Sequence, residues 1–251
     1  MSGRIFKQII ILISFGFIFI QCNNDLNENY PNDPKSADIN NEPIDSATFY
    51  FPFTIKKNDS IVKTNVDSFY LSWYSRSLNA AGEKILFNTY EGHDIYRFLW
   101  LRAFHPPVVF SLNKDGDKIW LQTKQLDRHP PLPYGGLIVF ADLKGNRDST
   151  NYHEKDSMYR AESLIQPKIV STETKNLSIN EWNKFEILIE NCGFWSMSPT
   201  NESSGVDGSR WIIESHLKEK YWFADRFAPK DNFRKCGEYL IELSGIEEEV
   251  Y

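Results

Sequence analysis

The most chemically loaded stretch of the chain is DGSRWIIE, residues 207–214, which sets Asp207 and Glu214 a few positions apart around Trp211. Two neighbouring carboxylates are the material of general acid–base chemistry, and an arginine beside them would orient an anionic group. Arg97 and Arg102 lie upstream, and Tyr221, Asp225 and Arg226 follow on the next predicted strand. The same residues admit a structural reading. Asp207-Gly208 is a turn signal ahead of a strand, Trp211 fills a core, and Glu214, Asp225 and Arg226 join a buried charge network around Arg97 or Arg102. Alternation along a strand puts Glu214 on the side of Arg210 and away from Trp211, which suits a structural pair.

His105 precedes Pro106-Pro107, so its loop position is fixed. Such a histidine can serve as a base or a ligand, or simply sit at the surface. The other four, His93, His129, His153 and His216, are scattered singly. No H-E-x-x-H, H-x-H or Cys/His spacing occurs, so no metal is expected. No G-x-S-x-G elbow, phosphate loop or dinucleotide turn is present either, and no cofactor is expected. Ser203-Ser204-Gly205 has no basic partner in sequence. Cys192 and Cys236 are open to two readings. In an exported domain they can form a disulfide worth roughly 3–4 kcal/mol. On the apolar faces of two helices they can equally be small buried hydrophobes.

These residues need elements to hold them. Ala47–Lys56, Ser68–Arg76 and Lys84–Tyr90 read as short aromatic strands. Asp94–Phe104 alternates with Tyr96, Phe98, Trp100 and Phe104 on one face and Arg97, Leu99, Leu101 and Ala103 on the other, so both faces are expected to be partly covered. Val108–Leu112 and Lys118–Lys124 flank the hairpin signal Asn113-Lys114-Asp115-Gly116. Residues 127–136 form a Pro/Gly loop, and 142–160 is a polar, mobile-looking stretch. The period then changes. Ser178 and Glu181 make a capping box with Leu177 and Trp182 as its staple, and Trp182, Phe185, Leu188, Ile189 and Cys192 recur at helical spacing up to Gly193. Arg210–Ser215 and Lys220–Phe227 are strands. A last helix starts at Asp231, buries Phe233, Cys236, Leu240 and Leu243, and stops at Gly245. This order predicts an α+β fold, mostly antiparallel, with an aromatic-rich sheet and two main helices in the C-terminal half.

The first 47 residues read as an address. Arg4 and Lys7 precede an apolar run from Ile9 to Ile20, too short to span a bilayer and fitting a secretory signal over 1–21. Cys22 follows directly, where bacterial lipoprotein precursors carry their lipid. Residues 22–47 hold seven Asn among 23–47, six acidic residues and one Lys, a composition that predicts a disordered tether. Residues 48–251 are expected to form one domain. The net charge of −6 divides into +2 for the signal, −5 for the tether and −3 for the domain. A nearly neutral domain argues against a nucleic-acid footprint. Aromatic residues make up 15% of the chain, enough for a large core; Tyr134 and Trp222 are the rings to check for exposure.

YRFLWLRAFHPPV (96–108), Gly135-Gly136, Trp182, Phe194-Trp195, DGSRWIIE, Tyr221, DRFAP (225–229) and the run Cys236, Leu240, Leu243 occur in that order. Together they resemble a family of uncharacterised bacterial proteins, a domain of unknown function, over roughly residues 94–245. The resemblance bears on fold and implies no chemistry. The N-terminus separately resembles a bacterial lipoprotein of the Bacteroidota. The expectation is therefore a cell-envelope lipoprotein, lipid-anchored to a membrane, whose domain binds a ligand or protein partner without catalysis. An envelope hydrolase using the carboxylate and arginine cluster is the rival, and a structural or assembly role the third reading. A hydrolase requires Arg97, Arg102, Asp207, Glu214 and Asp225 to converge on one solvent-reachable cleft.

Overall fold

The computed structural model describes residues 29–57, 60–131, 165–201, 205, 207–248 and 250. Cys22, Tyr134, Gly135-Gly136, His153, Ser203-Ser204 and the polar stretch 142–160 lie outside the described residues. The scaffold is a six-stranded antiparallel sheet. Its strands are β3 (Asp94–Arg102), β4 (Val108–Asp115), β5 (Lys118–Leu126), β6 (Ile169–Leu177), β7 (Ser209–Leu217) and β8 (Lys220–Phe227), in the spatial order β6-β5-β4-β3-β7-β8. A separate hairpin pairs β1 (Thr54–Lys57) with β2 (Ser60–Lys63). With the helices α1 (Ser68–Ala80), α2 (Ile179–Asn191) and α3 (Asn232–Ser244), this is an α+β fold with two helices in the C-terminal half, as the sequence pattern indicated.

β3 is central, between β4 and β7, and every residue from Ile95 to Arg102 is buried. One face of the sheet carries Tyr96, Phe98 and Trp100 beside Phe110, Leu112, Trp211 and Ile213. Helices α2 and α3 cover it. Trp182, Phe185 and Ile189 of α2 are fully buried, and the Tyr96 ring lies 5.3 Å from Trp182 and 5.0 Å from Phe185. The capping box forms as read: Glu181 N–H donates to Ser178 Oγ and Ser178 N–H to the Glu181 carboxylate. α3 begins at Asp231, whose side chain accepts from Phe233 N–H, and ends at Gly245 in the left-handed region.

The opposite face carries Arg97, Leu99, Arg210, Ile212, Glu214, His216, Tyr221 and Asp225. It is covered by α1 and by irregular chain. Ser68–Ala80 is a helix, not a strand. Its buried residues Leu71, Tyr74, Ser75 and Leu78 fall at helical spacing, and Asp67 caps it by accepting from Phe69 N–H at 2.8 Å; serine between aromatics mimics strand alternation. Lys84–Tyr90, also expected as a strand, has no regular structure. Its backbone bonds to side chains and coil instead: Ile85 N–H donates to Asn41 O and Thr89 N–H to Asn41 Oδ1.

Those partners overturn a second expectation. Composition predicts disorder through residue 47, yet residues 29–47 pack against the domain. Tyr30 is buried and its hydroxyl donates to Leu217 O at 2.8 Å. Asn41 is buried, and Asn32 N–H donates to Asn88 O. Composition counted asparagine as disordering, whereas here asparagines satisfy backbone groups that no strand pairs. β6 went unread because nearly all of it is exposed and polar.

Candidate functional site

The residues singled out for chemistry separate into distinct places. Glu214 of β7 pairs with Arg97, its register partner on β3. Arg97 Nε–H donates to Glu214 Oε2 at 2.9 Å, a second guanidinium N–H reaches the same oxygen, and the Tyr221 hydroxyl donates to Glu214 Oε1 at 2.7 Å. Burial pushes the Glu214 carboxyl upward, while Arg97 and Tyr221 hold it down. Asp225 belongs to another cluster, accepting from Arg210 at 2.6 Å and from the Tyr74 hydroxyl at 2.7 Å through Oδ2. Arg210, not Arg97 or Arg102, is therefore its arginine.

Arg102 lies on the opposite face from Arg97, with its guanidinium 4.4 Å from the Trp100 ring, donating to Pro106 O and paired with Glu248. Arg226 donates to Asp225 O and Ser198 O at the edge strand. Asp207 and His105 are exposed in separate loops. The Asp207/Glu214 pair is not formed, and the five groups that a hydrolase needed in one cleft do not share one. Trp222 is buried, beneath the Lys57 ammonium at 4.6 Å.

A groove of about 300 Å³ opens to solvent beside the Arg97–Glu214 network, joined to Arg97 through Glu83. Its floor is the polar side of β4 and β5, with Ser111, Asn113, Trp120, Gln122 and Lys124. Its wall is the coil that follows α1, including Glu83, Lys84, Glu91 and His93. Glu83 is the hub: it lies 3.5 Å from Arg97 Nη1 and 2.8 Å from Lys124 Nζ, and accepts weakly from Ser111 Oγ at 3.4 Å. Lys124 also donates to Ala81 O and Gly82 O, and Arg97 Nη1 to Lys84 O. Lys84 pairs with Glu91 at 3.1 Å.

The charges of this groove therefore satisfy one another. Two groups on the floor are left for a guest. The Gln122 amide has no side-chain partner among the described residues, and Asn113 spends only its N–H, on Ser111 O at 2.7 Å. Trp120 stands half-buried at the mouth, stacked with His93 at 5.8 Å between ring centres. A larger hollow of about 490 Å³ lies under residues 31–54, walled by Phe49, Phe51, Phe53 and Phe87. Its Asp33 and Asp45 are occupied as acceptors in local turns, so few polar groups converge there.

None of the groove residues was singled out from sequence. The available signal was the β5 alternation Lys118, Trp120, Gln122, Lys124, a polar side on a strand whose other side, Ile119 and Leu121, is core. No family model matches the chain, and neither a curated protein nor a solved structure does.

Proposed function

We propose that this chain is a lipid-anchored protein of the bacterial cell envelope, tethered through Cys22, whose α+β domain holds a small, neutral, hydrogen-bonding molecule without catalysis. A monosaccharide or its N-acetyl derivative is the class that fits. The observation that carries the reading is the groove: fixed charges already neutralised, amides from Gln122 and Asn113 on the floor, and the Trp120 ring at the entrance. A charged ligand would have to displace an existing ion pair, at a desolvation cost. A neutral one needs only the free amides, and about 300 Å³ lies at the small end of ligand pockets. Of the carboxylates that a hydrolase would use, Glu214 and Asp225 are committed to Arg97 and Arg210, and Asp207 stands on a separate exposed loop. The signal-like residues 1–21 and Cys22 support the envelope location.

Titration of the purified protein with glucose and with N-acetylglucosamine, followed by tryptophan fluorescence, tests the binding half. A saturable response that Trp120→Ala or Gln122→Ala weakens about tenfold, roughly 1.4 kcal/mol, is expected. No response to either sugar, or an undiminished response in both variants, overturns it. Labelled palmitate entering the wild-type chain but not Cys22→Ala tests the anchor; equal labelling overturns that half alone.

A further inference from the structure

Cys192 and Cys236 come from different helices and meet where α2 ends. Cys192 is the C-cap residue of α2, and Cys236 lies one turn into α3. Their sulfurs are 3.8 Å apart, with the Cys236 S–H donating to Cys192 Sγ. Cys236 is buried and Cys192 half-buried. A disulfide holds its sulfurs at about 2.05 Å, and two thiols already in contact are the arrangement from which one forms. We propose that Cys192 and Cys236 are a redox pair whose disulfide staples α2 to α3 over the aromatic face of the sheet.

The two thiols are unequal, and the inequality sets the order of events. The hydrogen bond from Cys236 holds the Cys192 thiol below the ordinary thiol range, against burial. The same bond, with burial, pushes Cys236 up. Asp231, at the start of α3, raises both, and the Arg226 guanidinium from β8 lies close enough to Cys192 to feel its charge. Cys192 is thus the more accessible and more readily ionised sulfur. As thiolate it attacks a disulfide oxidant, forming a mixed disulfide and releasing one thiolate of the oxidant. Cys236 then loses its proton and attacks the Cys192 sulfur, expelling the second thiolate. Two protein thiols are oxidised and one disulfide is reduced to two thiols. The inference does not depend on the groove or its ligand.

The test treats the purified full chain with oxidised glutathione or with dithiothreitol, denatures it, alkylates it with N-ethylmaleimide and maps the peptides. After glutathione, Cys192 and Cys236 are expected to escape alkylation as one linked peptide pair; after dithiothreitol both are alkylated. The oxidised form is expected to unfold at a higher temperature than the reduced form, and Cys192→Ser to lose that difference while still folding. Both residues still alkylated after glutathione, or Cys192 halted as a glutathione adduct that Cys236 does not resolve, overturns the pair. A disulfide that forms without moving the unfolding midpoint overturns the staple.

Discussion

The two faces of the six-stranded sheet bury comparable rings and do opposite things with polarity. Apart from the Arg102–Glu248 pair at the end of β3, the face under α2 and α3 is dry: Tyr96, Phe98, Trp100, Phe110 and Trp211 pack ring against ring, with Phe98 5.4 Å from Phe110 and 5.1 Å from Trp211. Among the described residues the indole N–H groups of Trp100 and Trp182 have no acceptor. The face under α1 buries Arg97, Arg210, Glu214, His216 and Asp225 instead. Nonpolar burial at about 25 cal/mol per Å² makes the first face a source of stability. A buried ion pair roughly breaks even at best, so the second face gains geometry rather than stability. It holds irregular chain in place, and its Arg97–Glu83–Lys124 chain reaches the groove.

The comparison breaks most visibly at Arg97. Arg97→Met leaves Glu214 buried with Tyr221 as its remaining donor, and about 3–5 kcal/mol of stability should be lost in urea unfolding. Arg97→Met with Glu214→Leu should recover most of that loss, since no uncompensated charge remains. A double variant as unstable as the single one would mean that the polar face contributes stability of its own.

His216 gives the same face a pH dependence. Its Nδ1–H donates to Leu86 O at 2.6 Å and its Nε2 accepts from Glu91 N–H at 3.0 Å, so protonation would set two donors against each other. Burial, the largest cause, brings its value down from 6.5 to about 3. The stability due to neutral His216 is complete above pH 6.5. Between 6.5 and about 3 the unfolded chain takes a proton that the folded chain refuses, so stability falls with pH by up to about 1.4 kcal/mol per unit. Glu214 and Asp225, pushed up by burial, act in the opposite sense at the acid end. Subtracting the His216→Gln profile from that of wild type isolates the histidine; parallel profiles between pH 4.5 and 6.5 would refute its assignment.

On the dry face the corresponding weak point is Gly237. A Cβ there would come within 2.3 Å of Trp211 and 2.9 Å of Phe98. Gly237→Ala gains up to about 1 kcal/mol of helix propensity, but overpacking of about 1–3 kcal/mol should exceed it. Net stabilisation would show that this ring stack yields, and the contrast between the faces would lose its rigid side.

How far each face could be read from sequence follows from the same difference. The dry face obeys period: alternation in β3 and β7, helical spacing from Trp182 and from Phe233, and a capping box, all local patterns. The polar face does not. Arg97 and Glu214 are 117 positions apart and Arg210 and Asp225 fifteen, and only register decides which carboxylate meets which arginine. The expected network sets Glu214, Asp225 and Arg226 around Arg97 or Arg102, and of these Glu214 and Arg97 meet. It was wrong in joining Asp225 to Arg97 or Arg102, and the Asp207 pairing did not form. The groove was invisible because its wall, Glu83 to His93, is coil placed by Asn41 and His216, with no periodicity to announce it.

The smallest effect probes the one part of the dry layer that owes nothing to burial. Ser178 is exposed and Glu181 half-buried, and their box fixes only the first turn of α2, where Trp182 enters the core. Ser178→Ala leaves the Glu181 N–H without its cap and should cost about 1 kcal/mol. If the dry face folds as one packed unit, that loss appears as a lower global midpoint with a single cooperative transition. If α2 instead frays by itself, hydrogen exchange should speed up at Trp182 and its neighbours while amides of β3 keep their wild-type protection. The second outcome would assign the stability of this face to the sheet and α3, with α2 as a cover held on by its own cap.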